Sequence, residues 1–132
     1  MYSHPAVIQL HHTDAAGILF FGHLFMLAHD AYQAGMAVLG LDLRRILDEG
    51  TYLLPIVHAE ADFKAPLRVG DAIDIRVTVE RLGQGSFTLA YDFVQATGDV
   101  AATARTVHAA MAPGGGAMAL PEELRAALAG RP

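Results

Sequence analysis

The stretch from Gly22 to Leu39, GHLFMLAHDAYQAGMAVL, reads as one long helix. Ala, Leu and Met dominate it and no proline interrupts it. Gly40 stands where a helix end favours a residue free to adopt positive φ. His23, Asp30 and Gln33 fall in one narrow stripe, and nearly everything else on the helix is apolar. A helix of that composition is expected to be wrapped by protein on most sides.

Outward from this helix the pattern changes. Residues 6–11 (AVIQLH) read as a short strand before it. Asp42 to Glu49 (DLRRILDE) reads as a second, shorter helix, capped by Asp42 and stopped by Gly50. The period then becomes two, with strand-like runs over 52–62, 72–82, 86–97 and 100–111. Ile73, Ile75, Val77 and Val79 alternate with Asp74, Arg76, Thr78 and Glu80, the mark of a half-buried antiparallel strand. Gly83-Gln84-Gly85 and Gly98-Asp99 are tight hairpin signals. Residues 113–117 (PGGGA) read as a flexible hinge, and Pro121 to Ala129 as a terminal helix opened by its proline. The expected organisation is one α+β domain over 1–112, followed by a tail over 113–132 that carries a short helix. In it, one long helix is wrapped by a five-stranded antiparallel meander.

Composition narrows the chemistry. The chain has 132 residues, enough for one ordinary domain. No cysteine is present, which excludes disulfides, thiolate metal sites and Cys nucleophiles. Serine occurs only at Ser3 and Ser86, and neither lies in a G-x-S-x-G turn. The net charge of -5 argues against nucleic-acid binding, which needs clustered Lys and Arg. No apolar run is long enough for a membrane span, and Met1-Tyr2-Ser3-His4-Pro5 lacks the basic and apolar regions of a secretory leader. A cytoplasmic chain is expected. Its 53% hydrophobic content points to surface hidden against other subunits, hence a homodimer or homotetramer.

Seven histidines invite a metal reading, above all His11-His12 near His23, and His58-x-Glu60-x-Asp62 on one strand face. Without a helical ligand pair these spacings make a weak site, and no metal is expected. Asp14 is the stronger candidate. It follows a strand, lies among Thr13, Ala15, Ala16 and Gly17, and precedes the long helix. Small neighbours such as Gly17 let a ligand approach closely. The unpaired N–H groups of a helix start suit a developing oxyanion. A carboxylate beside them acts as nucleophile or as general base toward a bound carbonyl. Alternatively, Asp14 merely caps a turn ahead of the helix.

Resemblance bears on that choice. Thr13 to His23, TDAAGILFFGH, resembles the active-site segment of hotdog-fold acyl-CoA thioesterases of the 4-hydroxybenzoyl-CoA thioesterase type. Ala61 to Asp71, ADFKAPLRVGD, resembles the strand-turn-strand passage of the same family, and the likeness covers about residues 6–111. Within the family, Asp14 to Gly17 followed by Phe21, His29-Asp30-Ala31-Tyr32, and Leu54 to His58 are most similar to 1,4-dihydroxy-2-naphthoyl-CoA thioesterases.

The resemblance implies a hotdog fold and hydrolysis of an acyl-CoA, with an aryl group favoured. It matches Asp14 to the catalytic carboxylate and Phe21 to the residue whose backbone N–H meets the thioester carbonyl. Phe stands at Phe21 where many members have Tyr or His, and His23 stands where many have Asn. His12 replaces a frequent acid two residues before Asp14. Gly17, His23, Phe63, Lys64 and Arg68 are the candidate substrate contacts. Phe20, Phe21, Phe25, Tyr52 and Phe63 are candidates for an apolar slot or plain core. Lys64, Arg68, Arg76 and Arg81 are candidates for the CoA phosphates, or for a solvated face shared with Asp71, Asp74 and Glu80. No cofactor is expected, since CoA is part of the substrate. Two alternatives share the fold: a hydratase or dehydratase of acyl thioesters, and a non-catalytic acyl-thioester-binding module.

Overall fold

A computed structural model describes residues Tyr2–Gly130. Its elements are strand β1 (Tyr2–Val7), helix α1 (Leu24–Val38), helix α2 (Leu43–Glu49), strands β2 (Ile56–Phe63), β3 (Ala72–Leu82), β4 (Ser86–Gln95) and β5 (Val100–Ala109), and helix α3 (Glu122–Ala129). Short 3₁₀ turns cover Leu10–His12 and Phe21–His23, the second running straight into α1. The strands form one antiparallel sheet of five in the order β1-β3-β4-β5-β2. Only β3-β4-β5 is a meander. β1 and β2 are the outer strands, at opposite edges.

Local chemistry accounts for most element ends. Asp42 accepts the Arg44 N–H at 3.0 Å and caps α2, and Gly50 ends it at φ +63°. Gly40, at φ +79°, turns the chain after α1. The β3 alternation is realised, with Ile73, Ile75 and Val77 buried against Phe87, Leu89, Tyr91 and Phe93 of β4. α1 lies against β1 and β3, and Leu24, Leu27, Ala28, Ala31 and Met36 complete the core.

Four further expectations are corrected. The first strand lies at Tyr2–Val7 rather than 6–11, because Pro5 sits on an edge strand, where a missing N–H is tolerated. Residues 10–12 instead make a 3₁₀ turn closed by Gln9 and His12. The strand expected from 52 begins at Ile56, after Pro55, with a single bridge Leu53↔Met111 before it. Residues 113–117 form a closed turn, with Ala112 N–H donating to the Gly116 carbonyl at 2.9 Å and a Met111↔Ala117 bridge.

The fourth correction concerns α1, which is not wrapped on most sides within one chain. Met26, His29, Asp30, Gln33 and Val38 face outward. Every residue of β2 except Ala61 is exposed.

The tail joins the same core. Leu120, Leu124 and Leu128 are buried in the main cluster, and Arg125 donates to the carbonyls of Gly83 and Gln84 at 2.7 and 3.0 Å. α3 therefore closes the β3–β4 hairpin end of the sheet.

Candidate active site

The segment between β1 and α1 is a small hairpin built around Asp14. Thr13 bridges Leu19, Asp14 N–H donates to Ile18 O at 2.9 Å, and Gly17 N–H donates to Asp14 O at 3.0 Å. Gly17, at φ +74°, makes the reversal, a backbone state that L side chains adopt only under strain. A second loop supports the hairpin, with Leu19 N–H donating to Leu67 O at 2.7 Å and Val69 N–H to Gly17 O at 3.2 Å.

This geometry orients the Asp14 carboxylate. Oδ1 accepts the Ala16 N–H at 2.8 Å and, more weakly, the Ile18 N–H at 3.4 Å. Oδ2 has no hydrogen-bond partner among the described residues. Asp14 thus caps its turn with one oxygen and offers the other, so the two alternatives weighed from sequence coexist in one side chain.

The start of α1 is held by His12. Its carbonyl accepts the Phe20 N–H at 3.0 Å and His23 Nδ1–H at 3.0 Å. A carbonyl only accepts, so the His23 proton sits on Nδ1. His12 itself accepts the Gln9 N–H on its own Nδ1 at 2.9 Å. Burial, then its neighbours His11 and His23, hold the His12 imidazole below the ordinary histidine range, while Asp30 opposes them. The Phe21 N–H, in the first turn, donates to no described group. It is a free donor at the positive end of the helix.

Asp14 and Phe21 open into one cleft of about 550 Å³, with Phe20, Phe63, Lys64 and Ala102 among its walls. The Phe20 and Phe21 rings pack 4.6 Å apart. Phe20, Phe21 and Phe63 are 40%, 65% and 51% exposed, an apolar slot open to solvent in the single chain. Lys64 makes no ion pair among the described residues, which leaves its ammonium available at the rim.

Of the residues singled out from sequence, Asp14, Phe21, Phe63 and Lys64 line this cleft together. Gly17, His23 and Arg68 do not: Gly17 shapes the Asp14 turn, His23 clamps the helix start, and the Arg68 N–H donates to Asp71 Oδ2 at 2.8 Å. Phe25 and Tyr52 line other cavities. Sequence reasoning missed Ile18, Pro66 and Ala102. Ala102 had no signal at all, because only the β2–β5 register, which sets it opposite Phe63, carries it to the site. The His58–Glu60 pair, 3.0 Å apart, is exposed, and no three-residue His/Asp/Glu cluster of metal-binding geometry exists among the described residues.

A family model described as the Thioesterase-like superfamily matches residues 8–128. The chain is 40% identical over 108 residues to a 1,4-dihydroxy-2-naphthoyl-CoA hydrolase of Synechococcus elongatus, covering 81% of this chain and 79% of that one. Among solved structures, a 1,4-dihydroxy-2-naphthoyl-CoA thioesterase from Synechocystis superposes with a TM-score of 0.92 at 29% identity, covering 98% of this chain and 96% of that one. A gentisyl-coenzyme A thioesterase superposes at 0.87 with 27% identity, covering 97% and 99%. The antiparallel sheet with its long helix is the hotdog fold.

Proposed function

This chain belongs to the Thioesterase-like superfamily, and we propose that it is a hydrolase of the 4-hydroxybenzoyl-CoA thioesterase type that cleaves an aryl-CoA thioester to the free acid and CoA. The observation that carries the reading is the convergence of a free carboxylate oxygen on Asp14 and the free Phe21 N–H on one aromatic cleft. The Phe21 N–H polarises the thioester carbonyl and stabilises the oxyanion that forms as it is attacked. Asp14 Oδ2 either attacks the carbonyl carbon, giving a mixed anhydride that water then opens, or takes a proton from the attacking water. In both cases the C–S bond breaks, water supplies the acid's oxygen, and CoA leaves as a thiolate. A thiolate is stable enough to need no strong general acid, so the reading calls on no cofactor.

The acyl group is a hydroxylated aryl group, with 1,4-dihydroxy-2-naphthoyl-CoA the leading substrate, as the names of the similar proteins suggest. Phe20, Phe21 and Phe63 supply flat apolar walls for such a ring. Lys64, with Arg68 nearby in the same loop, serves the CoA phosphates. The working form is a cytoplasmic homodimer or homotetramer, supported by the exposed Ile56, Val57 and Phe63 on the free edge strand β2. A panel of aryl- and alkyl-CoA esters scored for free thiol release tests the function. Release from hydroxyaryl esters is expected; no release from any ester contradicts hydrolysis.

A further inference from the structure

The carbonyl of His12 accepts the Phe20 N–H and the His23 Nδ1–H, the two bonds that flank the free Phe21 N–H. Asp14 follows His12 by two residues. Whatever fixes the His12 carbonyl therefore fixes the oxyanion donor relative to the carboxylate.

The His12 side chain does this fixing. Its backbone N–H donates to the Gln9 carbonyl at 3.0 Å, and the Gln9 N–H donates back to His12 Nδ1 at 2.9 Å. These two bonds close a ring across the Leu10–His12 turn. Thr13 adds its N–H and its hydroxyl to the Leu10 carbonyl, at 3.0 and 2.7 Å.

The arrangement is a capping box, in which the third residue of the turn returns its side chain to the backbone ahead of it. Glu or Gln fills that place in the usual box, and either accepts a hydrogen bond throughout the neutral range. A histidine accepts at Nδ1 only while its ring is neutral, with the proton on Nε2. Protonation sets a second N–H on Nδ1. Two donors then face each other across 2.9 Å, and the ring of bonds opens.

We infer that His12 is a pH-dependent positioning residue for the thioester cleavage: its neutral ring locks the turn that places the Phe21 N–H, and its protonation releases that turn and slows the chemical step. The effect on rate rests on the hydrolytic reading of Asp14 and Phe21, whereas the lock itself does not. The His12 ring is 8% exposed. His11 packs on it from the same turn, with ring centroids 4.2 Å apart. His23 acts on it from the helix start and Asp30 from α1. Burial first, then His11 and His23, favour the neutral ring, and Asp30 opposes them. The lock is therefore closed at neutral pH and opens below the ordinary histidine value of about 6.5.

Two variants separate this lock from packing alone. His12→Leu removes the acceptor, and kcat is expected to fall about tenfold at every pH between about 5 and 8, with KM changed less than about twofold. His12→Asn presents Oδ1 where Nδ1 now accepts and is expected to recover most of that loss. Because the amide does not titrate, its kcat falls less between about pH 7.5 and 5 than the parent's, by about fivefold. Amide NMR of the intact protein reads the lock without turnover. The Gln9, Phe20 and Phe21 signals are expected to shift together in the parent, with one midpoint below about pH 6.5, and to lose that common step in His12→Asn. If no ester is cleaved, the hydrolytic reading fails and these signals alone decide the lock. Matching kcat–pH profiles in the parent and His12→Asn, or parent signals that do not move together, overturn the inference.

Discussion

His23 donates its Nδ1–H to the carbonyl of His12 at 3.0 Å, and through that bond the first turn of α1 is fixed to the chain that precedes Asp14. The same carbonyl accepts the Phe20 N–H at 3.0 Å, so one oxygen sets the approach of the Phe21 donor to the cleft. His23→Ala is expected to cost about 1 kcal/mol of stability and to lower kcat more than it raises KM, because the misplaced group acts on the transition state. His23→Asn retains an N–H donor and is expected to recover most of the loss. Steady-state kinetics of the two variants on one ester check this.

Gly22 has no room for a side chain. A Cβ there would meet the Phe20 ring at 2.9 Å. Gly22→Ala is expected to push that ring across the cleft and raise KM about fivefold, equivalent to about 1 kcal/mol of overpacking. Thermal unfolding should move little, since the ring is partly exposed and free to swing.

Burial, reinforced by nearby His29, drives the His108 pKa down to about 4. The unfolded chain takes up that proton near the ordinary value of about 6.5, the folded chain only near 4. Stability linked to neutral His108 is thus complete above about pH 6.5 and is lost as pH falls toward 4, by about 3 kcal/mol over that window. Urea midpoints between pH 7 and 4 should therefore fall less steeply in His108→Phe than in the parent chain. Identical slopes would contradict this.

Leu124 is fully buried, although it belongs to the tail beyond residue 112. Leu124→Ala is expected to cost about 2–5 kcal/mol, as for other core leucines, and to lower the midpoint of a single cooperative transition. A separate early transition would mean that α3 melts independently of the sheet.

Much of this was legible in the sequence where local chemistry decides. Asp42 and Gly50 bound α2, Gly40 follows α1, and the β3 alternation names its own buried face. The Asp14 segment was legible because carboxylate, small residues and helix start are neighbours in the chain. What was not legible depends on contacts far apart in sequence. Strand order places β2 beside β5, and that pairing alone carries Ala102 to the cleft. Pro5 argues locally against a strand, and only its position on an edge permits one. The apolar composition of α1 records how much surface is hidden, without saying which face its own chain covers. Tyr52, weighed as a slot residue, lines the cavity at His108 instead, because the α2 connection carries it beside His29 and Tyr32 in the middle of α1.

The Asp14 carboxylate is the centre of the account, and kcat for a hydroxyaryl-CoA ester measured on Asp14→Asn tests it most directly. The amide oxygen still accepts the Ala16 N–H that Oδ1 now takes at 2.8 Å, so the turn and the fold are preserved. The nucleophile or base is lost. A fall in kcat of about 10²–10⁴-fold, with unchanged secondary structure and substrate still bound, is the predicted result. Turnover within a few fold of the parent enzyme would contradict the account.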